Sequence, residues 1–510
     1  MDNRLATIYQ EKNGGRVLIL FLLFFLALYQ FYSAGISAFA IVCLLPLLVP
    51  IVYVAFTWQM LIFWTLIFIN YFVHFFGRLQ LLPSGVPMSI YNEALEILLI
   101  AIAIVDARQS PHFDRTLNLM LLTLLCWAGF CTLEAFNDTC NLGLDIAGWY
   151  GGARMMAFQL LYAFVVFTLY ISTPERLMKY LRILAVLSLF SVFWTWKQCY
   201  IGLTHSENIW LESIGRTTHL LNGGTLIRYW STHNDAANYG IGAAAIAVIY
   251  IAMAITTKLR RDRIFFIITA VLTIWGMFQS GTRTAIMCLI FGFAVVLVLF
   301  KSIKIIVPSA IVGSIMLALL MFTDIGNGNQ QIRRMRSAFD KSDASSNVRA
   351  INQEAIRKYI ADAPWGLGLA ANYSNVPANN KYKKLSTIPP DSEYVFIWVH
   401  TGPIGITTFL ILTVIMFLGG CHVVFTKLKN RTLVGIGAGF CGAFAAMQLG
   451  GYGNQVLMQF PNCLIFYGGL TIVYVLPYIE QEWPEYENKR IAAEEEQRRL
   501  KLEKKKASRV

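Results

Sequence analysis

The chain has 510 residues, of which 56% are hydrophobic and 14% are charged. Soluble globular proteins carry about 25% charged residues, so this composition, with a mean hydropathy of +0.56, excludes an ordinary soluble protein. Many apolar runs reach the roughly 20 residues that cross a bilayer as a helix, and they are too long for barrel strands of about 10 residues. Basic cytoplasmic loops explain the net charge of +13 without nucleic acid. We therefore predict an all-α, polytopic integral membrane protein.

The apolar runs predict fourteen transmembrane helices. Their bounds lie near residues 17–34, 37–56, 58–76, 89–106, 116–136, 154–172, 183–203, 237–256, 264–281, 284–300, 304–322, 393–418, 432–451 and 457–479. The crowded region 17–76 holds two or three of them. The first run shows no small-residue cleavage site, which indicates a transmembrane helix rather than a removed signal peptide.

The distribution of basic residues predicts the orientation. If the N-terminus is cytoplasmic, the Lys and Arg clusters near residues 258–263 and 427–431 fall in inside loops, as the positive-inside rule requires. Short outside loops such as 137–153 and 449–456 contain neither residue. Both termini are then cytoplasmic.

The same pattern predicts four parts of the chain. They are spans 1–11 in residues 1–322, an extracytoplasmic catalytic loop at 323–392, spans 12–14 in 393–480, and a charged tail at 481–510. A loop as long as 323–392 is unusual and more often functional than not. The tail is predicted to be a short charged helix, solvated or facing lipid head groups.

Polar groups collect at several outer helix mouths. Arg154 opens the sixth span after the run GWYGGAR, and RYWSTHNDAANYG places Arg228, His233, Asn234 and Asp235 at the start of the eighth. Ionisable groups in such positions indicate a functional site. Hairpin and helix-capping chemistry would equally explain the second group.

Arg283 lies in SGTRTA, where the tenth span begins at the outer face. Its position makes a nucleotide phosphate, which belongs to the cytoplasmic face, an unsuitable anion.

The stretch SSNVRAINQEAIRKYIADAPWGLGLA (345–370) predicts an amphipathic helix lying on the membrane. A cap at residues 345–347 would begin it, and it stops before Pro364. Its apolar positions are Val348, Ile351, Ala355 and Tyr359. Arg349 and Arg357 share the polar side. An ordinary surface helix with solvated arginines is the alternative interpretation.

The long loop ends in PPDSEYVFIWVHTGPIG (389–405), which opens the twelfth span. Asp391 or Ser392 is placed to cap this helix. Asp391 and Glu393 nevertheless put two carboxylates at the outer surface. His400 lies about 13 Å deeper along the helix, and we interpret it as a buried, hydrogen-bonded histidine rather than a catalyst.

The motifs SGTRTA, VRAINQEAIRKYIADAPWGLGL and DSEYVFIWVHTGPIG together resemble the O-antigen ligase/polymerase family. Their order and spacing also match: 66 residues separate Arg283 from Arg349, and 42 more lead to Asp391. The resemblance covers residues 225–420, whereas the N-terminal half matches only in being hydrophobic.

The resemblance implies a polytopic glycosyltransferase of the bacterial inner membrane that works at the periplasmic face. The donor would be an oligosaccharide on undecaprenyl pyrophosphate, and an acceptor glycan would attack the anomeric carbon with inversion, without metal or cofactor. The family's pyrophosphate-binding arginines map onto Arg283 and Arg349. Guanidinium groups bind phosphate oxygens bidentately and stabilise a negatively charged leaving group.

One difference between this sequence and the ligases of the family favours a polymerase over a ligase. Ligases of the family carry histidine and asparagine where this chain has Asp391 and Ser392. The base for the incoming hydroxyl would then be Asp391 or Glu393, with His233 and Asp235 in reserve. The partners implied are the lipid-linked oligosaccharide, the acceptor glycan, the bilayer and a chain-length regulator. A ligase, a lipid-linked oligosaccharide flippase and a structural scaffold of an export complex remain alternatives.

Overall fold

The computed structural model describes residues 56–79, 89–106, 112–221, 226–323, 344–372, 374–388 and 392–507, with residues 22, 25, 53, 328, 333, 334 and 336. The chain divides into a small unit, Met1–Trp64, and a large unit, Thr65–Val510. Apart from the first turns of helix α1, all the elements and sites below belong to the large unit.

The described residues are almost entirely helical. The helices of the first half are α1 (Gln59–Arg78), α2 (Ser89–Val105), α3 (Leu119–Leu133), α4 (Ile146–Ala153), α5 (Gln159–Tyr170), α6 (Pro174–Tyr200), α7 (His205–Trp210) and α8 (Arg216–His219). Those of the second half are α9 (Ala236–Thr256), α10 (Arg260–Gln279), α11 (Arg283–Phe300), α12 (Ile303–Phe322), α13 (Ala344–Ile360), α14 (Glu393–His422), α15 (Arg431–Gly453), α16 (Asn462–Ile479) and α17 (Trp483–Ala507).

Short elements join some of these helices. A π-helical turn, Arg154–Phe158, connects α4 to α5 as one continuous rod. Two further π-helical turns follow α7 and α14, at Leu211–Gly215 and Val423–Lys427. Single 3-10 turns occupy Phe113–Thr116, Glu134–Phe136 and Leu385–Thr387. Strands β1 (Leu220–Leu221) and β2 (Leu226–Ile227) form an antiparallel hairpin in which Leu220 faces Ile227.

The predicted fold class is confirmed. Ten helices of the described chain are long and apolar enough to cross a membrane. Helices α2 and α12 correspond to two further predicted spans, since they cover Ser89–Val105 and Ile303–Phe322. The predicted spans 17–34 and 37–56 lie outside the described residues.

Small residues let the central helices approach closely. Helices α9, α15 and α16 are the most buried of the spans. A Cβ added at Gly292 of α11 would lie 2.7 Å from the carbonyl oxygen of Gly442 in α15, so the two backbones touch. Membrane helices lack a strong hydrophobic drive to associate and pack through such small residues instead. This glycine- and alanine-rich centre fixes the positions of the helix ends that carry the polar groups.

The helix ends sort into two groups. At one end, here called the arginine end, the Arg78 side chain reaches the Ser231 carbonyl and the Glu393 carboxylate binds the Leu457 amide. At the opposite end, the tail end, Asp262 of α10 contacts Arg182 of α6. Segments predicted to be extracytoplasmic meet at the first end and cytoplasmic ones at the second, as the predicted topology requires. Which compartment each end faces stays a prediction.

The tail helix α17 is tied to the tail end by ion pairs. Asp262 receives Arg490 of α17 at 2.9 Å and Arg182 at 3.1 Å. Lys258 lies 2.8 Å from Glu487, whose other oxygen accepts the Thr432 hydroxyl at 2.9 Å. The first turns of the tail therefore pack on the bundle.

Replacing Asp262 by alanine is expected to loosen α17. The change removes the shared carboxylate of Arg182 and Arg490, at a cost of about 2 kcal/mol for partly buried pairs. Limited trypsin digestion of the purified protein should then cut the basic tail faster than in the wild type. Asp114→Ala, which removes an exposed carboxylate, is the control. Equal cleavage rates for D262A and wild type would contradict the pairing.

Candidate functional site

The turn between α10 and α11 presents Arg283. Ser280 accepts the Thr282 amide at 3.2 Å and donates to the Met277 carbonyl at 2.7 Å, while Gly281 takes a positive φ of 57°. Positive φ suits glycine because it has no Cβ. Helix α11 then begins at Arg283, so its guanidinium extends from the first turn at the arginine end.

Arg228 reaches the same turn from the β-hairpin. The Arg228 amide donates to the His219 carbonyl at 2.9 Å, which continues the hairpin pairing. The Arg228 guanidinium donates to the carbonyl oxygens of Ser280 at 3.3 Å and Thr218 at 2.9 Å, and to the Thr282 hydroxyl at 3.0 Å. Arg228 thus holds the turn of residues 280–282 next to Arg283.

Arg349 approaches from the loop helix α13. Its Nη2 donates to the Gly453 carbonyl, the last residue of α15, at 2.8 Å. A Cβ at Gly453 would lie 3.0 Å from the Thr284 hydroxyl and 3.8 Å from Arg349 Nη1. The hydrogen bond to the end of α15 therefore positions Arg349 next to the first turn of α11.

Arg334 is a fourth arginine at this place. Its Nε donates to the Gly281 carbonyl at 2.8 Å. Burial, reinforced by the charges of Arg228 and Arg283, lowers the pKa of Arg334 to about 10. The sequence motifs did not single it out.

These four residues, Arg228, Arg283, Arg334 and Arg349, form what we call the arginine cluster. Burial lowers the pKa of Arg228; the charge of Asp235 opposes this shift, while Arg283 and Arg349 add to it. Arg283 and Arg349 also repel each other. Mutual repulsion of cations near a low-dielectric boundary is relieved by an anion, so the cluster is an anion-binding candidate.

Helix α14 is broken at Gly402, and residues 363–368, which follow α13, dock against this break. Gly402 leaves the helical conformation with φ 66°, and Pro403 has no amide hydrogen. The carbonyls freed at Val399 and His400 accept the amides of Leu367 at 2.9 Å and Gly368 at 3.0 Å. The loop backbone thereby satisfies polar groups that would otherwise be unpaired within the membrane.

His400 is half-buried and hydrogen-bonded to this docked segment, in line with the predicted hydrogen-bonded histidine. Its Nδ1 lies 3.1 Å from the Gly368 carbonyl oxygen, and its ring packs on Phe396. Gly366 closes the same contact, because a Cβ there would lie 2.6 Å from the His400 carbonyl oxygen.

Of the two predicted carboxylates, one is described. Glu393 is 3% exposed, and its Oε2 accepts the Leu457 amide at 2.9 Å. It therefore holds the connection between α15 and α16. Ser392 occupies the N-cap position of α14 and donates to the Gly451 carbonyl at 3.0 Å. Asp391 lies outside the described residues.

The group at residues 233–235 is largely structural in its contacts. Asp235 caps α9 by accepting the amides of Ala237 at 2.7 Å and Asn238 at 2.9 Å. Asn234 donates to the side chain of Gln459 at 3.3 Å. His233 is buried, and burial, with the nearby His74 and Arg78, lowers its pKa to about 3. At neutral pH its imidazole is uncharged.

His233 faces the bundle interior, where it lines a cavity of about 10 Å³ with Tyr71, Ser191 and Tyr239. Two residues that the motifs missed hold the loop around it. Arg78 donates to the carbonyls of Ser231 at 3.2 Å and Asn234 at 3.3 Å and lies over the ring of Trp210 at 5.0 Å.

His219 is the second missed residue. Its Nε2 accepts the Ala236 amide at 3.1 Å. This bond requires a neutral imidazole, and burial lowers the pKa of His219 to about 4.

The other predicted arginines lie elsewhere. Arg154 forms a buried ion pair with Glu93 at 3.0 Å. Arg357 is exposed on α13. Of the predicted apolar positions of α13, Ile351 is 67% exposed in the protein. Ile356 and Ile360 are buried instead, because they face the cluster around Leu367, Leu385 and Val399 beneath the helix.

Across the described part of the chain, no group of three or more His, Cys, Asp and Glu side chains is arranged to hold a metal ion. The charged groups of the arginine cluster are guanidiniums, so the site is suited to a polyanionic ligand such as a phosphate.

The fold and this site together define a polytopic helical membrane protein with a cationic site at one end of its bundle. Residues 268–410, which include Arg283, Arg349 and the kink at Gly402, match the family model described as O-antigen ligase. The match confirms the resemblance of the three motifs and supports glycan transfer of the ligase/polymerase type. No match is found among curated proteins.

Proposed function

We propose that this protein is a polymerase that joins oligosaccharide repeat units carried on undecaprenyl pyrophosphate, at the periplasmic face of the inner membrane. The observation that supports it is the arginine cluster. Arg228 and Arg334 bind the turn just before Arg283, and Arg349 binds the end of α15 close enough for its charge to act on Arg283. Four guanidiniums suit a pyrophosphate better than a singly charged ligand.

In the proposed reaction, an acceptor hydroxyl attacks the anomeric carbon of the donor sugar. The new C–O bond forms as the bond from that carbon to the phosphate oxygen breaks, and the electron pair leaves with the pyrophosphate. Arg283 and Arg349 stabilise the charge that develops on this leaving group. The proton of the hydroxyl passes to a base.

We assign the base to Asp391, which lies two residues before the start of α14 at Glu393. Its neighbour Glu393 accepts a backbone hydrogen bond from Leu457 and is buried, which favours a positioning role. His233 packs inside the bundle and Asp235 caps α9, so we rank both after Asp391 as the catalytic base.

A ligase that transfers the glycan to lipid A-core is the second candidate, since the matched family model bears that description. The aspartate at position 391 favours the polymerase. A flippase fits less well, because transporters are usually built from repeated halves, which this sequence lacks.

The purified protein in detergent, given lipid-linked repeat units, is expected to produce longer glycans on gel electrophoresis. Parallel reactions receive lipid A-core as the only added acceptor. Transfer to lipid A-core without elongation would replace the polymerase by the ligase, and no transfer in either reaction would reject both. Elongation without a membrane would exclude a purely transporting role.

A further inference from the structure

A second polar cluster lies inside the bundle, apart from the arginine cluster's contacts. Arg154 Nη1 binds Glu93 Oε2 of α2 at 3.0 Å, and the Tyr150 hydroxyl donates to the other oxygen of Glu93. Both members of the ion pair are at most 8% exposed. Ionisable groups within a membrane bundle are costly and indicate function by default.

Glu96 adds a second carboxylate one turn further along α2. It is 1% exposed and feels the charge of Glu93. Two carboxylates stand against one guanidinium, so the cluster carries an excess negative charge if both are ionised. A buried charge without compensation costs several kcal/mol, so the cluster requires one more positive charge.

Unpaired polar atoms lie on α2 and on α5, the helix packed against it. Glu96 Oε2 has no hydrogen-bond partner among the residues that the structure describes, and neither do the amide oxygens and nitrogens of Asn92 and Gln159. Asn92 is 0% and Gln159 3% exposed. Asn92 lies four positions before Glu96 and therefore on the same face of α2. Buried polar groups are nearly always paired, so such a set indicates a small bound species.

Gln159 directly follows the π-helical turn that begins at Arg154. The backbone amide of Gln159 donates to the backbone carbonyl of Arg154, five positions earlier. This bond keeps the two side chains near one side of the rod. Tyr162, one turn beyond Gln159, feels the charges of both Glu93 and Glu96. Turns of this kind are frequent at functional sites.

We propose that Glu96, Asn92 and Gln159 form an intramembrane site for one monovalent cation, either a proton or a sodium ion. The three unpaired side-chain oxygens are hard ligands, and the charge of the cation neutralises the cluster. Among the described residues, the titratable groups that interact with Glu96 are Glu93, Tyr162 and Cys463, and Glu93 in turn contacts Tyr150 and Arg154.

The test is thermal unfolding of the full-length protein in detergent, followed by tryptophan fluorescence, in NaCl, KCl or choline chloride at equal ionic strength between pH 6 and 9. A bound sodium ion raises the Tm by about 2 °C or more in NaCl alone. A bound proton instead makes the Tm fall as the pH rises in all three salts, because the folded state holds a proton that the unfolded chain has released.

Glu96→Gln is expected to abolish whichever response the wild type shows. Glu207→Gln is the matched control, since Glu207 is equally buried but accepts hydrogen bonds from Trp194 and Gln198. It should keep the wild-type response. If E96Q does not fold, Asn92→Leu must weaken the response. A wild type with neither response, or an E96Q protein with the full one, overturns the site.

Discussion

Replacing Arg283 or Arg349 by alanine is expected to lower the rate of glycan elongation by about 10²–10³-fold, with unchanged protein levels. Removal of one preorganised donor to a developing oxyanion has an effect of this size. Both guanidiniums lie at the first turn of α11, and Arg349 is held there by the Gly453 carbonyl at 2.8 Å. The measurement is the initial rate of chain elongation by purified protein in detergent, at saturating lipid-linked donor.

Two comparisons separate binding of pyrophosphate from general positive charge. Arg283→Lys keeps the charge but loses the planar fork, so it should recover only part of the rate. Arg216→Ala removes an exposed arginine of the same end and should leave the rate unchanged. Normal elongation by both R283A and R349A would rule out the proposed binding of pyrophosphate by these two arginines. It would leave the description of the helical fold unchanged.

Several site residues could be predicted because they break the charge pattern of the chain. Basic residues concentrate in predicted inside loops, so an arginine at an outer helix mouth is an exception that requires a reason. Arg228 and Arg283 were found in this way, Arg349 was found on the polar side of the predicted loop helix, and the structure brings the three together. The same rule applies to Arg78, which follows a predicted span at the outer face and binds the Ser231 carbonyl. Applied fully, it would have identified this residue.

Other features depend on packing that no local pattern encodes. Arg154 is also an outer-face exception, but its partner Glu93 lies 61 positions earlier, and only the contact of α2 with the α4–α5 rod pairs them. Ile351 has the helical spacing of an apolar stripe and is nevertheless exposed. The docking of residues 363–368 at Gly402 turns α13 so that Ile356 and Ile360 face inward. A helix buries the side that its tertiary contacts select.

Replacing Gly402 by alanine is therefore expected to disable the protein although no residue of the arginine cluster is replaced. Alanine at φ 66° is strained, and its Cβ would collide with the Pro364 carbonyl oxygen. Strain and collision together should cost about 2–4 kcal/mol. The docked segment would move away from the carbonyls of Val399 and His400, and α13 would carry Arg349 with it. The expected result is a lower Tm and a loss of elongation comparable to that of Arg349→Ala.

Gly129→Ala is the matched control, because this glycine lies within α3 and an added Cβ meets no atom within 4 Å. There the substitution should raise the Tm slightly, as alanine favours a helix by about 1 kcal/mol over glycine. Gly366→Ala tests the same contact from the opposite side. Since Gly366 and Gly402 meet at one point, the double variant should be little worse than either single one. Additive losses would mean that the two glycines act independently, and that the kink does not position Arg349.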